Sequence, residues 1–548
     1  MYFRYILIFL SAALMLSGCA SGNSTATDAL VKSTTYGLVR GYAHDSVAVF
    51  KGIPYAKAKR FGKPVSPSKW DTIMDCTRYG DIAPQTGSPS PTAYNPVDTV
   101  RTMSDNCLNL NIWTSMRDDS SDRPVMVWLH GGAFEYGSSH QYTVLDGTRL
   151  ADVENVVVVT LNHRLGALGF LDLSAYGDEY DSSGNHGMLD IMTALWWIRD
   201  NIKAFGGDPT NITVFGEGAG GVKVLTLLAM PAAKGLFHKA IVQSGVLEGM
   251  CQEQELSRKV GVYTVEEAGV LTPDQLAEMP YEKIAAAAER AVERVNREYP
   301  RDRDNRVRLA PVYGTKVLPY PIYSDSAINA VADIPIIIGS NLTDLIYCDE
   351  SIDCNIQCAE AVHNLTPAEF AARMKEKFGD RTVDVLDAFS QAYPDRHSSE
   401  VLVTDTRVRS LVLKIAHVLA GRSNAPVFVY LFSWTSPLND GYGMSFRSAE
   451  IPFIFNNYED APFARAGGNE ARRLSRIMSR CWATFARSGN PNNSITPFWR
   501  RINLGEGHTM VFDRDIHLET YKDLPLMRIL HPDIVEGITL REEYSTLQ

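Results

Sequence analysis

The chain has no region in which positive charge gathers. Its 53 Lys and Arg are outnumbered by 64 Asp and Glu, a formal charge of −11. Without a basic stripe to neutralise phosphates, it does not read as a nucleic-acid binder. No internal repeat and no long low-complexity tract is present, which excludes a solenoid and a largely disordered chain. Cysteine is sparse, eight in 548 residues, and no Cys-x-x-Cys pair or adjacent histidine spacing supports zinc, so neither a metal nor a cofactor is expected. What remains is a globular composition, 45% hydrophobic and 21% charged with 40 Gly and 27 Pro. The length would hold about two to four average domains, although large α/β chains exceed that as single units.

The first residues stand apart. Arg4 precedes the apolar run Tyr5–Leu16, and Ser17-Gly18-Cys19 follows. A short cationic start with about a dozen apolar residues makes a signal peptide, too short to span a bilayer. Leu-Ser-Gly-Cys resembles the bacterial lipobox, which implies removal of residues 1–18, acylation of Cys19 and attachment to a membrane through that lipid. Residues 19–34, which include the polar run Ala20–Asp28, read as a flexible tether. Ala20 after the cysteine implies an outer-membrane or periplasmic-face address. An exported chain can form disulfides, and the close set Cys348, Cys354 and Cys358 is the place for one. The seven cysteines beyond Cys19 are an odd number, so at least one thiol stays free.

From Tyr36 onward, apolar β-type runs alternate with amphipathic helical ones. Val125–Leu129 and Val156–Leu161 read as buried parallel strands. Met188–Phe205 reads as a helix, ended by Gly206-Gly207-Asp208-Pro209. Strand Ile212–Phe215, a helix over Val222–Met230 and strand Lys239–Gln243 follow, and later strands are Ile334–Ile338 and Val427–Phe432. This rhythm of strand, crossover helix and strand predicts an α/β fold with a doubly wound, mostly parallel sheet. Residues 251–310 are helical and charged, Ala285–Arg297 most of all, and read as an insertion packed on the core. No linker divides the chain, so residues 35–548 form one expected domain.

Thr213–Gly221 reads T-V-F-G-E-G-A-G-G: a β-type run enters a glycine-dense turn, and an apolar run leaves it. That is the layout of a nucleophile elbow, G-x-S-x-G, with Gly218 where the serine would stand. The chain resembles the type-B carboxylesterases, a family that includes cholinesterases and bile-salt-type lipases. The resemblance rests on Phe50–Ala56 (F-K-G-I-P-Y-A), Cys107–Trp113 (C-L-N-L-N-I-W), His130–Phe134 (H-G-G-A-F) and Asn162–Leu171 (N-H-R-L-G-A-L-G-F-L). Asn201–Pro209, Gln243–Gly245 and Phe485–Asn492 continue it in order across nearly the whole mature chain. It implies an α/β-hydrolase fold with helical insertions and, as the family's activity, hydrolysis of carboxylic esters.

The resemblance also assigns positions. Gly131, Gly132 and Ala219 match the backbone donors of the oxyanion hole, which survive side-chain change. Gly218 occupies the nucleophile position and has no hydroxyl, so it cannot form an acyl-enzyme; it accepts the elbow backbone readily and is expected to leave extra space. Asp344, ending Gly339–Asp344, holds the acid position. The family's histidine lies three residues before the acid of an E-[IL]-P-[FY]-x-F run, here Glu450–Phe455, which puts Arg447 in its place. No histidine lies between His417 and His508, and a guanidinium stays protonated, so Arg447 cannot act as a base. An Asp344–Arg447 ion pair is expected instead of an acid–imidazole hydrogen bond.

Lys223, five residues past Gly218, is expected to pair with Glu217 or Asp344, with a reactive amine of lowered pKa as the alternative. His163, His186 and His238 read as packing residues. Asn341-Leu342-Thr343 is a glycosylation sequon, discounted because the lipobox points to a bacterium. Three functions compete. The favoured one is a non-hydrolytic pocket for a small carboxylate or other anion, formed by the hole, a helix N-terminus and Arg447, for binding alone or for lyase- or isomerase-type chemistry. The others are residual ester hydrolysis by a water activated through Asp344, Glu217 or Lys223, and neuroligin-like adhesion to a protein partner. Whether the chain is an enzyme stays open.

Overall fold

The computed structural model describes residues 30–87, 102–117, 122–302, 304–329, 333–344, 360–422, 424–442, 444–503 and 505–538. The signal peptide, Cys19 and the set Cys348, Cys354 and Cys358 lie outside them. The tether expected through residue 34 ends earlier, because Val31–Thr34 already pairs antiparallel with Gly37–Arg40. Cys76, Cys107, Cys251 and Cys481 are free thiols.

Eleven strands of the described residues form one sheet. In chain order they are β1 Tyr42–His44, β2 Val47–Pro54, β3 Asn109–Ser115, β4 Arg123–Leu129, β5 Val157–Leu161, β6 Gly207–Glu217, β7 Lys239–Gln243, β8 Ile336–Asn341, β9 Val427–Phe432, β10 His508–Phe512 and β11 His517–Thr520. Their spatial order is β11-β10-β9-β8-β7-β6-β4-β5-β3-β2-β1. The seven from β10 to β5 run parallel, and the edges, β11 and β3-β2-β1, pair antiparallel. The sheet is doubly wound, as the β-helix-β rhythm requires.

Unbroken apolar runs follow from burial on both faces. Val125, Val127 and Leu129 of β4, with Ile336 and Ile338 of β8, point into one core, while Met126, Trp128 and Ile337 point into the other. The first core is closed by helices α1 (His186–Asn201) and α2 (Ala219–Ala229), through residues such as Met188, Leu195 and Val222. The second is closed from across the sheet by Leu474, Met478, Trp482 and Phe485 of the long helix Gly468–Ser488. Truncating one such side chain, Ile338→Ala for example, would cost about 2–5 kcal/mol. The helix expected over Met188–Phe205 is α-helical only to Asn201; a 3-10 turn, Ile202–Phe205, and left-handed Gly206 finish it.

The charged insertion packs its helices Gln254–Glu267 and Tyr281–Glu298 together over a separate apolar cluster, in which Val260, Ile284 and Val295 meet Leu168 and Leu171. Parallel pairing carries β4, β6 and β8 out of the sheet at the same edge. The loops after their carboxyl ends, where ligands bind in open α/β sheets, hold His130-Gly131-Gly132, Gly218 and Asp344.

Candidate active site

Gly218 is the single residue between the end of β6 at Glu217 and the start of α2 at Ala219. Its φ of 60° and ψ of −124° would cost an L side chain about 1–3 kcal/mol. Its amide donates to Gln243 O at 2.8 Å and its carbonyl accepts from Val222 N at 3.0 Å, which fixes the elbow to β7 and to its own helix. A Cβ built on Gly218 would stand 2.5 Å from Arg447 Nη2 and 3.3 Å from Cζ. The extra space expected there does not exist, because the guanidinium fills the volume a nucleophile would use.

Arg447 arrives on the segment after β9. Thr343 and Phe446 form a parallel bridge, which sets the arginine beside Asp344. Its Nε lies 3.2 Å from Glu217 Oε1 and its Nη1 lies 3.7 Å from Asp344 Oδ1. The pair expected with Asp344 is therefore shared, and Glu217 is the nearer partner. Both carboxylates are buried, while the arginine side chain is 28% exposed. Burial works against the charge of Arg447, but Glu217 and Asp344 outweigh it and its pKa is raised. Burial pushes Asp344 up, opposed by Arg447, Ser244 and the Asn341 amide. Burial pushes Glu217 up as well, with Arg447 opposing and Asp344 adding to the rise.

Behind this pair lies a third carboxylate that the motif reading used only as a landmark. Glu450 is fully buried, accepts from Gln243 Nε2 at 3.0 Å and from Asn341 Nδ2 at 2.8 Å, and has a pKa pushed up to about 8. Burial is the main cause, with Glu217 and Asp344 adding to it; the two donors oppose and are outweighed. A lone carboxylate inside the apolar run Ala449–Phe455 is the sequence feature that marks it.

The glycine loop leaves β4 at Leu129. Gly132, Ala133 and Phe134 all have positive φ, 94°, 51° and 68°, and Glu135 N and Tyr136 N close the turn onto Gly132 O. Two non-glycine residues in this region mark a loop held in shape by its surroundings, here by the buried Phe134 ring. The amides of Gly131, Gly132 and Ala219 donate to no other group among the described residues. They stand at the positions that the family resemblance assigns to oxyanion donors.

Lys223 does not pair with Glu217 or Asp344, contrary to expectation, and among the described residues it forms no ion pair. Five residues along an α-helix is about 140° round, so its side chain leaves α2 toward the glycine loop. Its Nζ donates to His130 O at 2.7 Å and sits 5.4 Å from the centre of the Phe134 ring. The residue is fully buried, and burial pulls its pKa down to about 7.

None of the neighbouring histidines forms a hydrogen bond or ion pair with Glu217, Asp344 or Arg447 among the described residues. His130 and His163 stack at 4.9 Å, and each ring Nδ1 lies 2.8 Å from a carbonyl, Gly131 O or Arg164 O. A carbonyl only accepts, so Nδ1 carries the proton. Burial, reinforced by Lys223, holds both rings well below the ordinary imidazole value. His186 is buried in the core, and His238 Nδ1 accepts from Ile212 N at 3.1 Å. Ser139 Oγ lies 3.1 Å from His140 Nδ1, but that hydroxyl also accepts from Asn111 of β3, and the His140 ring stacks on Tyr79. That pair belongs to the packing around β3 and not to the elbow. Asn341 is fully buried and bonded to Phe446 O and Glu450, so the sequon cannot carry a glycan in the folded chain.

An elbow between a parallel strand and a helix, a glycine loop beside it and a carboxylate just past the end of β8 define the α/β-hydrolase class. The chain belongs to the carboxylesterase family: the model of that family, described as "Carboxylesterase family", matches residues 28–524. Para-nitrobenzyl esterase of Bacillus subtilis (strain 168) is 34% identical over 496 residues, covering 89% of this chain and 96% of that protein. Cocaine esterase of Homo sapiens is 30% identical over 492 residues, covering 83% and 82%. Among solved structures, an esterase from Clostridium hathewayi, described as able to hydrolyse aliphatic aromatic polyesters, superposes with a TM-score of 0.80 at 30% identity, covering 91% of this chain and 97% of that one. A para-nitrobenzyl esterase structure gives 0.73 at 31% identity, covering 92% and 99%.

Proposed function

We propose that this carboxylesterase-family protein does not hydrolyse esters through a serine–imidazole couple, and that its site binds a small carboxylate or another anion. The observation that carries this reading is the guanidinium of Arg447 in the volume beside Gly218, next to amides that have no acceptor among the described residues. An anion there would gain charge-assisted hydrogen bonds from the amides, the favourable end of the eleven-residue helix α2, and the exposed part of Arg447. The site serves binding alone, or a lyase- or isomerase-type step in which no acyl-enzyme forms. An ester held by its carbonyl is the second reading, favoured by the likeness to esterases. Its hydrolysis would rest on water and the hole, orders of magnitude below a complete triad. Export and a lipid anchor at Cys19 belong to the same proposal, supported by the run Tyr5–Leu16 and the Leu-Ser-Gly-Cys that follows.

Calorimetric titration with acetate and benzoate tests the anion site. Both should bind, and Arg447→Met should weaken them about tenfold or more, the worth of a hydrogen bond to a charged group. Absence of heat and of any thermal shift across a panel of carboxylates would reject the reading.

A further inference from the structure

The site contains a cation, Lys223, with which no carboxylate among the described residues pairs. Arg447 is matched by Glu217 and Asp344. Lys223 is fully buried, reaches one acceptor, the carbonyl of His130, and forms no ion pair among the described residues. The elements packed around α2 and the loops beside Lys223 carry other titratable groups, among them His130 after β4, His163 and Arg164 after β5, His186 and Asp190 on α1, Asp208 and Glu217 of β6, Lys239 of β7 and Asp325 of the helix Asp325–Asn329, and no carboxylate among them is within ion-pair distance of Lys223. Arg164 and Asp190 neutralise each other at 2.6 Å, Glu217 is taken by Arg447, and burial holds all three imidazoles well below their ordinary value.

The single acceptor of Lys223 is informative. The carbonyl of His130 and the amide N–H of Gly131 belong to one peptide unit. Lys223 therefore pulls on the oxygen of the same peptide whose N–H donates to no group among the described residues, and Gly131 itself lies against the elbow, a Cβ built on it standing 3.1 Å from Glu217 O. Hydrogen bonds in series polarise one another, and more so away from water. A protonated Lys223 makes the Gly131 N–H a stronger donor. An anion on that N–H, roughly 7–8 Å from the amine by bond lengths and hydrogen-bond distances, in turn favours the ammonium.

We propose that Lys223 is a positioning residue of the anion site: its ammonium, acting through the His130–Gly131 peptide, strengthens the hole, and the bound anion is a counter-charge that the described residues do not supply. This rests on the reading of the site as one that binds anions. The consequence is that anion binding takes up a proton. With the free amine pulled down to about 7 by burial, an anion that raises its proton affinity binds most tightly below neutrality. Affinity then falls as pH rises above about 7, by on the order of tenfold in all.

The test is calorimetric titration of the full mature chain with benzoate from about pH 6 to about pH 9, in two buffers of different ionisation heat, for the wild type and for Lys223→Met and Lys223→Arg. The wild type should take up a substantial fraction of one proton per benzoate near pH 8 and lose affinity across the range. Lys223→Met should bind about tenfold more weakly at pH 6 with a flat profile above neutrality. Lys223→Arg, which keeps a charge that does not titrate, should also be flat, and it keeps the test decisive if the methionine variant does not fold. Benzoate binding with no proton uptake in the wild type, or a wild-type pH profile in either variant, would overturn the proposal while leaving the anion site standing. No benzoate binding at any pH would remove the anion site, and this inference with it.

Discussion

Arg447 Nη2 lies 2.5 Å from the point where a Cβ on Gly218 would stand. Gly218 and Arg447 are thus in contact across a long stretch of chain: the cation fills the space beside the elbow, and any side chain added at position 218 meets it.

Gly218→Ser by itself is expected to destabilise the fold by about 1–3 kcal/mol, from backbone strain at positive φ and from displacement of the guanidinium. Urea unfolding measures it. The clash is with the far end of a flexible side chain, so the variant should fold, and it should show no ester turnover. A variant as stable as the parent would mean that Arg447 does not stand over Gly218.

The pair Gly218→Ser with Arg447→His removes the clash and places a hydroxyl and an imidazole at the elbow. It should show saturable nitrophenyl-ester turnover and one fluorophosphonate adduct at position 218. Its stability should differ from the sum of the single changes by about 0.5–3 kcal/mol, as for residues in contact. A folded but silent double variant would reject Asp344 as the acid, or the amides of Gly131, Gly132 and Ala219 as the hole.

Arg447→Met leaves Glu217 and Asp344 facing each other without a cation. At about pH 8 the loss should be about 2–4 kcal/mol, below that of a fully enclosed pair because the arginine is partly exposed. Both carboxylates already have raised pKa values, so they can protonate to relieve the repulsion. The penalty should shrink toward about pH 5, and denaturation at the two pH values measures the difference.

How much of this was legible in the sequence depends on how far each feature reaches along the chain. β4, β5, β7 and β9 were readable because both faces are buried and the apolar runs are unbroken. β6 begins at Gly207, five residues before the apolar run, because the polar residues that open it carry no burial pattern. α2 begins at Ala219, three residues earlier than expected, since packing overrides the poor helix propensity of Gly220 and Gly221. Motif order pointed to Gly218, Asp344 and Arg447, which the structure brings together. It could not show that Arg447 fills the elbow, that Lys223 turns to the His130 carbonyl, or that Glu450 lies behind Glu217, because those contacts join segments far apart in the chain.

Glu450 makes a prediction of its own. Its folded pKa, about 8, lies above the value of 4.5 for an unperturbed glutamate, so the folded chain holds this proton more tightly than the unfolded one. The stability it contributes is fully present below about pH 4.5 and is lost as pH rises to about 8, with a slope of up to about 1.4 kcal/mol per pH unit. Glu450→Gln, uncharged throughout, should flatten the stability profile across that window. An unchanged profile would mean that Glu450 is ionised in the folded protein.

The most direct measurement is intact-mass spectrometry of the wild-type protein after exposure to excess fluorophosphonate. With glycine at the elbow and a permanent cation over it, the mass should not change. A stoichiometric adduct, accompanied by loss of an ester-hydrolysing activity, would reveal a hydroxyl activated by a base and would contradict the account.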